Sequence, residues 1–275
     1  MSSAFLFPSI TSLPPGYDCA VSIPPARLAQ KAIRDGRAVC QQRVFHAGRL
    51  VHEAQHHIEI RGGTAVGLPV FRWPDHDAEW NGNAGFLELS FHAEDGRAMF
   101  RDTRVVGFYA IYSKPGKKSF FSDNAFRYGA PPTINQIAAF GRYVDAYPVM
   151  HLDRARDLGE TLTLINPYAK AVLASVATQD GRQISRRRVA PMSVLNLSLA
   201  ELLKPGEERW LGHLQLTATN RLVTFHIKHS MADPRVISDH EHLDAFRGDK
   251  THYPLTQLIR LRVGEFLRNR GLLRA

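Results

Sequence analysis

Cysteine is almost absent from this chain. Cys19 and Cys40 are the two it has, and neither falls in a Cys-x-x-Cys pair. A tetrahedral thiolate site wants more thiols, which excludes a four-cysteine zinc centre. Two free thiols are the expectation, with one disulfide as the alternative. Long apolar runs are missing too: none approaches the ~20 residues a membrane-crossing helix needs. The opening MSSAFLFPSITSLPPGYD has no basic residue ahead of its apolar stretch, and Pro8 interrupts it. A secretory signal carries a charged leader, so this start argues for a cytoplasmic protein.

Catalytic signatures are scarce as well. No Gly-x-Ser-x-Gly elbow occurs, and neither cysteine keeps a histidine in a recognisable context. Arg61-Gly62-Gly63-Thr64 lacks the lysine and the glycine positions of a phosphate loop. A pair of glycosidase-type carboxylates is defined in space, not by spacing, and the sequence is silent on it. These absences lean the reading away from an enzyme.

What is present is a chain of 275 residues, 44% apolar, which is enough for a real core. That length suits one large domain or two of ~100–150 residues. The formal charge is +9 and the isoelectric point about 9.8. An anionic partner fits such a balance: nucleic acid, acidic polysaccharide or a membrane surface. Solubility alone is the plain alternative.

Five segments follow from the pattern. Residues 1–36 read as an N-terminal arm, broken by Pro8, Pro14, Pro15, Pro24 and Pro25, with a short helix, ARLAQKAIRD, stopped at Gly36. Residues 37–130 read as a first β module. AVCQQRVFHAG and RLVHEAQHHIEIRGG alternate like strands, and Asp95-Gly96 marks a hairpin. Residues 131–148 place Ile134, Ile137, Ala138, Gly141 and Val144 at helical spacing and form a helical linker. Residues 149–250 are a second β module: TLTLINPY, AVLASVAT, RQISRRRVAP, SVLNLSL, GHLQLTAT and LVTFHIKH are strands, with Asp180-Gly181 and Asn220-Arg221 as turns. Residues 251–275 carry Leu255, Leu258, Ile259, Val263 and Phe266 on one stripe, an amphipathic C-terminal helix.

A weak internal match supports two copies. Tyr109-Ala110-Ile111-Tyr112 aligns with Phe225-His226-Ile227-Lys228. At the same offset Ser119–Asp123 aligns with Arg235–Asp239. In its alternating strands and its Asn-Pro and Asp-Gly turns, the second half resembles bacterial immunoglobulin-like modules. The resemblance covers about a third of the chain, lies at fold level and carries no functional residues. The expected fold is mainly β: two tandem antiparallel β-sandwich modules, a short connecting helix and a C-terminal amphipathic helix.

The densest chemistry lies between Phe225 and His252. This stretch holds five of the thirteen histidines with four aspartates and a glutamate. His240 and His242 stand two apart, so on an extended segment both imidazoles face the same way. A His-x-His pair starts many zinc, iron or manganese sites, and His229, Asp233 or His252 would complete this one. In that reading Glu241 or Asp244 is the base. The alternative is a polar loop whose carboxylates cap backbone amides.

Two other places invite a ligand. In FRWPDHDAEWNGNAG, Trp73 and Trp80 stand beside Asp75 and Asn81, a flat apolar face with hydrogen-bonding groups, as a sugar site uses. Equally, such tryptophans plug the end of a sandwich. Arg221, Arg235 and Arg247 add loop cations. Arg186-Arg187-Arg188 is the densest basic run, and with Arg182 it suits phosphate or sulfate, or a solvated strand face. It has no interleaved aromatics to stack bases, which turns the reading away from nucleic acid. The leading expectation is a non-catalytic binding or accessory protein for a carbohydrate, another anionic ligand or a protein partner. A metal-dependent enzyme and a structural subunit, homo-oligomeric or within a larger assembly, are the alternatives.

Overall fold

The computed structural model describes residues 9–22, 36–61, 64–66, 71–73, 85–93, 108–113, 120–127, 143–146, 149–218, 222–243 and 263. Among these the protein is mainly β. It divides into two compact units: Met1–Gly129 with Arg235–His242, and Ala130–Pro234 with Leu243–Ala275.

Among the described residues, nine strands build the sheet of the first unit: β1 (Ser9–Leu13), β2 (Asp18–Ser22), β3 (Gly36–His46), β4 (Arg49–Arg61), β5 (Thr64–Val66), β6 (Phe71–Trp73), β7 (Gly85–Ala93), β8 (Phe108–Ser113) and β9 (Phe120–Arg127). Their order is β5-β4-β3-β7-β1-β9-β8-β2-β6. The stretch read as an arm therefore supplies β1 and β2, and β1 lies inside the sheet, between β7 and β9. The prolines explain the difference: Pro8 and Pro14 flank Ser9–Leu13 and do not interrupt it, so the ladder loses no donor there. The β3–β4 hairpin turns at Ala47 (φ 48°) and Gly48 (φ 79°), the two positive angles that a tight hairpin turn of this twist requires.

The first core collects Ile10, Leu13, Val44, Leu87, Leu89 and Tyr112, with Phe45 stacked on Phe86 at 5.0 Å between ring centres. Arg43 and Glu88 stand opposite each other on β3 and β7 and form an ion pair, with the Arg43 guanidinium 5.7 Å from the Phe45 ring centre. Cys19 and Cys40 are both free and buried. Burial penalises the thiolate, pushing Cys40 up to about 12 against a smaller opposing pull from Gln42, and raising Cys19 as well. The native protein should therefore leave both thiols unreactive toward a thiol-specific disulfide reagent at pH 8, and unfolding in urea should release two. A fast-reacting native thiol would contradict this burial.

In the second unit run β10 (Tyr143–Ala146), β11 (Val149–Asp153), β12 (Leu158–Asn166), β13 (Val172–Thr178), β14 (Gln183–Val189), β15 (Ser193–Ser198), β16 (Arg209–Ala218) and β17 (Val223–Ser230). The order is β14-β13-β16-β11-β12-β17, with β10 on β16 and β15 on β12. Strand β16 is long and shared: Arg209–His213 pair with β11, and Leu214–Ala218 pair with β13. Met150, Leu152, Leu162, Leu164, Val176, Leu214, Leu216 and Phe225 form the buried core. Strand β18 (Ile237–Leu243) falls with the first unit as far as His242.

The helical linker needs correction. Tyr143–Ala146 is extended and pairs with Leu216–Ala218, so Val144 belongs to a strand. Its aromatic and β-branched residues favour a pleated surface, and the open edge of β16 satisfies their backbone. The rest of 131–148, the helix over 26–35 and the Asp95-Gly96 turn lie outside the described residues. The C-terminal helix is not seen: of 251–275 only Val263 is described, in helical conformation and half exposed.

Asn166 closes the end of β12. Its side chain is fully buried, and its Nδ2 donates to the carbonyls of Lys170 (2.8 Å), Ala190 (2.9 Å) and Val189 (3.2 Å). Its Oδ1 accepts from the Tyr168 amide at 3.1 Å. One amide thus satisfies the chain on both sides of the β13–β14 hairpin. Asn166→Ala should cost about 1–3 kcal/mol in urea unfolding, the scale of a buried group left unpaired. Asn166→Asp should cost more, because a carboxylate would face three carbonyl oxygens. Equal stability of the two variants would show that this network is not holding the hairpin.

Candidate functional site

An open pocket of about 360 Å³ lies in the second unit, where the core face of its sheet runs out. Its floor comes from β16. Trp210 and Gly212 are two apart on this strand, so they share the face that continues into buried Leu214 and Leu216. A methyl group at Gly212 would stand 2.9 Å from the Trp210 indole. The absence of a side chain there is what lets the indole lie across the strand.

Polar groups surround this platform. The turn after β13 brings Thr178, Gln179, Asp180 and Arg182. The loop after the 3-10 turn Ala200–Leu202 brings Lys204 and Glu207, and β16 adds His213. The turn is held by its own side chains. Thr178 Oγ1 donates to Asp180 Oδ1 and also approaches the Arg182 carbonyl at 3.2 Å. Gly181 turns the corner at φ 88°, a conformation that L side chains rarely adopt. Across the pocket the Lys204 amide donates to Glu207 Oε2 at 3.0 Å. A flat aromatic face with donors and acceptors of both signs around it can hold a polar ring.

The Thr178 hydroxyl and the Arg182 amide hold the Asp180 carboxyl below the usual carboxylate value. A lowered folded value means that the stabilisation is complete above the unfolded value of ~3.9 and is lost as pH falls through the folded one. Asp180 therefore stays ionised throughout neutral pH. Asp180→Asn should melt lower than wild type at pH 7, and the gap should close as pH falls through the lowered folded value. A gap that persists undiminished into strong acid would mean that the carboxylate charge is not what holds the turn.

The histidine-rich stretch is distributed through the two units. His240 is fully buried on β18 in the first unit, where its Nε2 contacts the buried Ser12 hydroxyl and its ring lies 4.8 Å from that of Tyr112. The Tyr112 hydroxyl donates to the Ser12 carbonyl at 3.0 Å and also meets Thr11 Oγ1. A serine beside a histidine suggests a nucleophile. But both are buried, and the neighbouring Asp239 accepts from the His240 backbone amide, not from its ring. His242 lies on the same side of β18, half-buried. In the second unit His229 uses both ring nitrogens: Nδ1 donates to the Ser230 carbonyl at 2.8 Å, and Nε2 meets Thr161 Oγ1 at 3.0 Å. The Asp233 amide donates to Ser230 Oγ at 3.0 Å. Among the described residues no group of three or more His, Cys, Asp or Glu is placed to hold a metal ion.

No protein-family model matches this chain, and no curated protein matches it.

Of the other expected residues, Trp73 ends β6 in register with Cys19. Arg235 is exposed, and its carbonyl accepts from the Tyr17 hydroxyl at 3.1 Å. Asp75, Trp80, Asn81, Arg221, Arg247 and His252 lie outside the described residues.

One further acid–base pair was not anticipated. Glu160 on β12 and His226 on β17 are almost wholly buried, with His226 Nε2 3.1 Å from Glu160 Oε2, which also accepts from the His151 amide at 2.9 Å. Such burial gives a substrate no way in, so the pair belongs to the core. The third tryptophan was the residue missed. Trp-x-Gly places an indole beside a position with no side chain only once both are known to share a strand face.

Proposed function

We propose that this protein is a non-catalytic binding or accessory protein, and that the pocket around Trp210 takes a carbohydrate. The observation that carries this reading is the indole laid over Gly212, with Arg182, Asp180, Gln179, Lys204, Glu207 and His213 around it. Sugar rings offer an apolar face and a rim of hydroxyls. An aromatic platform with charged and amide groups of both kinds complements both at once. The volume of about 360 Å³ suits one or two rings and leaves the rest of a chain in solvent. The fold part of the reading keeps two immunoglobulin-like modules, supported by the buried core and antiparallel strands that each unit has of its own.

The test is binding to an array of glycans by the full chain, followed by titration of any hit. Trp210→Ala should weaken binding at least tenfold, the scale of ~1.4 kcal/mol for a lost aromatic contact. Its melting temperature should stay near that of wild type, because the indole is only partly buried. Gly212→Val should also weaken binding, by pushing the indole aside. Glycan binding unaffected by either substitution would sink the pocket as the site.

A further inference from the structure

The sequence of β14 places Arg186, Arg187 and Arg188 in a row, and Arg182 precedes them in the wall of the Trp210 pocket. Strand β14 stands at the end of the strand order of its unit, with β13 as its ladder partner. All three arginines are exposed, and among the described residues no acid pairs with them. The strands on either side in sequence, Val172–Thr178 and Ser193–Ser198, contain no charged residue. Uncompensated arginines in a row repel one another, and an anion laid along them removes that cost.

Their arrangement fits an extended ligand. Arg186 and Arg188 share one face of the strand, in register with Ser175 and Leu173 of β13. Arg187 takes the other face, in register with buried Ala174. At a strand edge both faces border the same open flank, so a chain lying along β14 meets guanidinium groups from both sides. From Arg182 to Arg188 there are six residue steps, and at ~3.3 Å each they span roughly 20 Å. A single sugar does not cover that length, but a short oligosaccharide does. Arginine forks grip carboxylates and sulfates with two parallel hydrogen bonds. Resting on the carbohydrate reading of the Trp210 pocket, we infer that the ligand is an acidic polysaccharide. One ring stacks on Trp210, and the following carboxylate- or sulfate-bearing residues run along the arginines of β14.

Calorimetric titration of the full chain separates this inference from the reading beneath it. The probes are hexagalacturonate, its neutral methyl ester, a heparin hexasaccharide and linear polyphosphate, each at low and moderate salt. The expected result is that at least one acidic sugar binds tenfold or more tightly than the ester. Raising salt should erase that preference, and so should the triple substitution Arg186→Gln, Arg187→Gln, Arg188→Gln. The triple lysine variant, which keeps the charge, should retain most of the preference, and Arg186→Gln with Arg188→Gln should show a partial loss should the full glutamine variant misfold. Whichever acidic probe binds better names the anionic group. Equal binding of acid and ester, both lost in Trp210→Ala, would overturn the arginine track while leaving the pocket as a neutral-sugar site. Polyphosphate binding as tightly as the acidic sugars would overturn it too, since charge alone would then suffice. Failure of every sugar to bind would remove the carbohydrate reading and this inference together.

Discussion

Strand β16 is the constraint on which the second unit depends. Its ten residues serve two partners in succession: β11 along Arg209–His213 and β13 along Leu214–Ala218. The C-terminal half also holds β10 on its opposite edge. Its C-terminal half, paired on both sides, leaves few backbone groups to water, which fixes the register of the strand. That register decides which residues face the core. Leu214, Leu216 and Ala218 fill it; Gly212 and Trp210 continue the same face beyond it. A slip of one residue would turn the indole to the other face, abolish the pocket and expose the leucines. Core and candidate site are thus set by one ladder.

Three polar side chains inside these sheets work in the same way. Asn166 meets three carbonyls and an amide, the Tyr17 hydroxyl bridges the Arg235 carbonyl and the Ile237 amide, and Tyr112 ties Thr11 to the Ser12 carbonyl. Each uses a side chain to satisfy irregular backbone or a neighbouring hydroxyl that a ladder leaves out. The buried Glu160–His226 contact sets an acid beside a base in the core. Removing one member of such a pair strands the other in a medium that solvates it poorly, typically at several kcal/mol. These residue types read in isolation as catalytic. Their burial, not their chemistry, assigns them to structure.

The sequence made the strands of the second unit legible because their alternation and turn residues agree. Gly181 at φ 88° is a turn glycine in the Asp180-Gly181 step, and the Asn166-Pro167 break sits where β12 ends. Less visible was whatever depends on who pairs with whom. Ser9–Leu13 has no local mark of a strand inside a sheet; only the flanks offered by β7 and β9 make it one. Val144 fits a helical stripe by spacing, and pairing with β16 overrides that spacing. His240 and His242 do lie on one side of an extended segment, as their separation requires. Spacing could not tell that His240 faces Ser12 and Tyr112. The platform at Trp210 was hidden for the opposite reason. A lone tryptophan near a glycine carries no weight until the strand and its face are known.

The arginines of β14 meet one need of the fold itself. An exposed sheet edge is a template for unwanted pairing with another chain, and charged side chains on it discourage that. Three arginines in seven residues answer this need. The edge problem alone, however, is met by charges of either sign and by single residues. It does not require a run of one sign beside strands with no charge, nor its alignment with a pocket whose wall contains Arg182. Protection against aggregation accounts for charge at the edge. The uniform sign and the continuity with the Trp210 pocket lie outside that account.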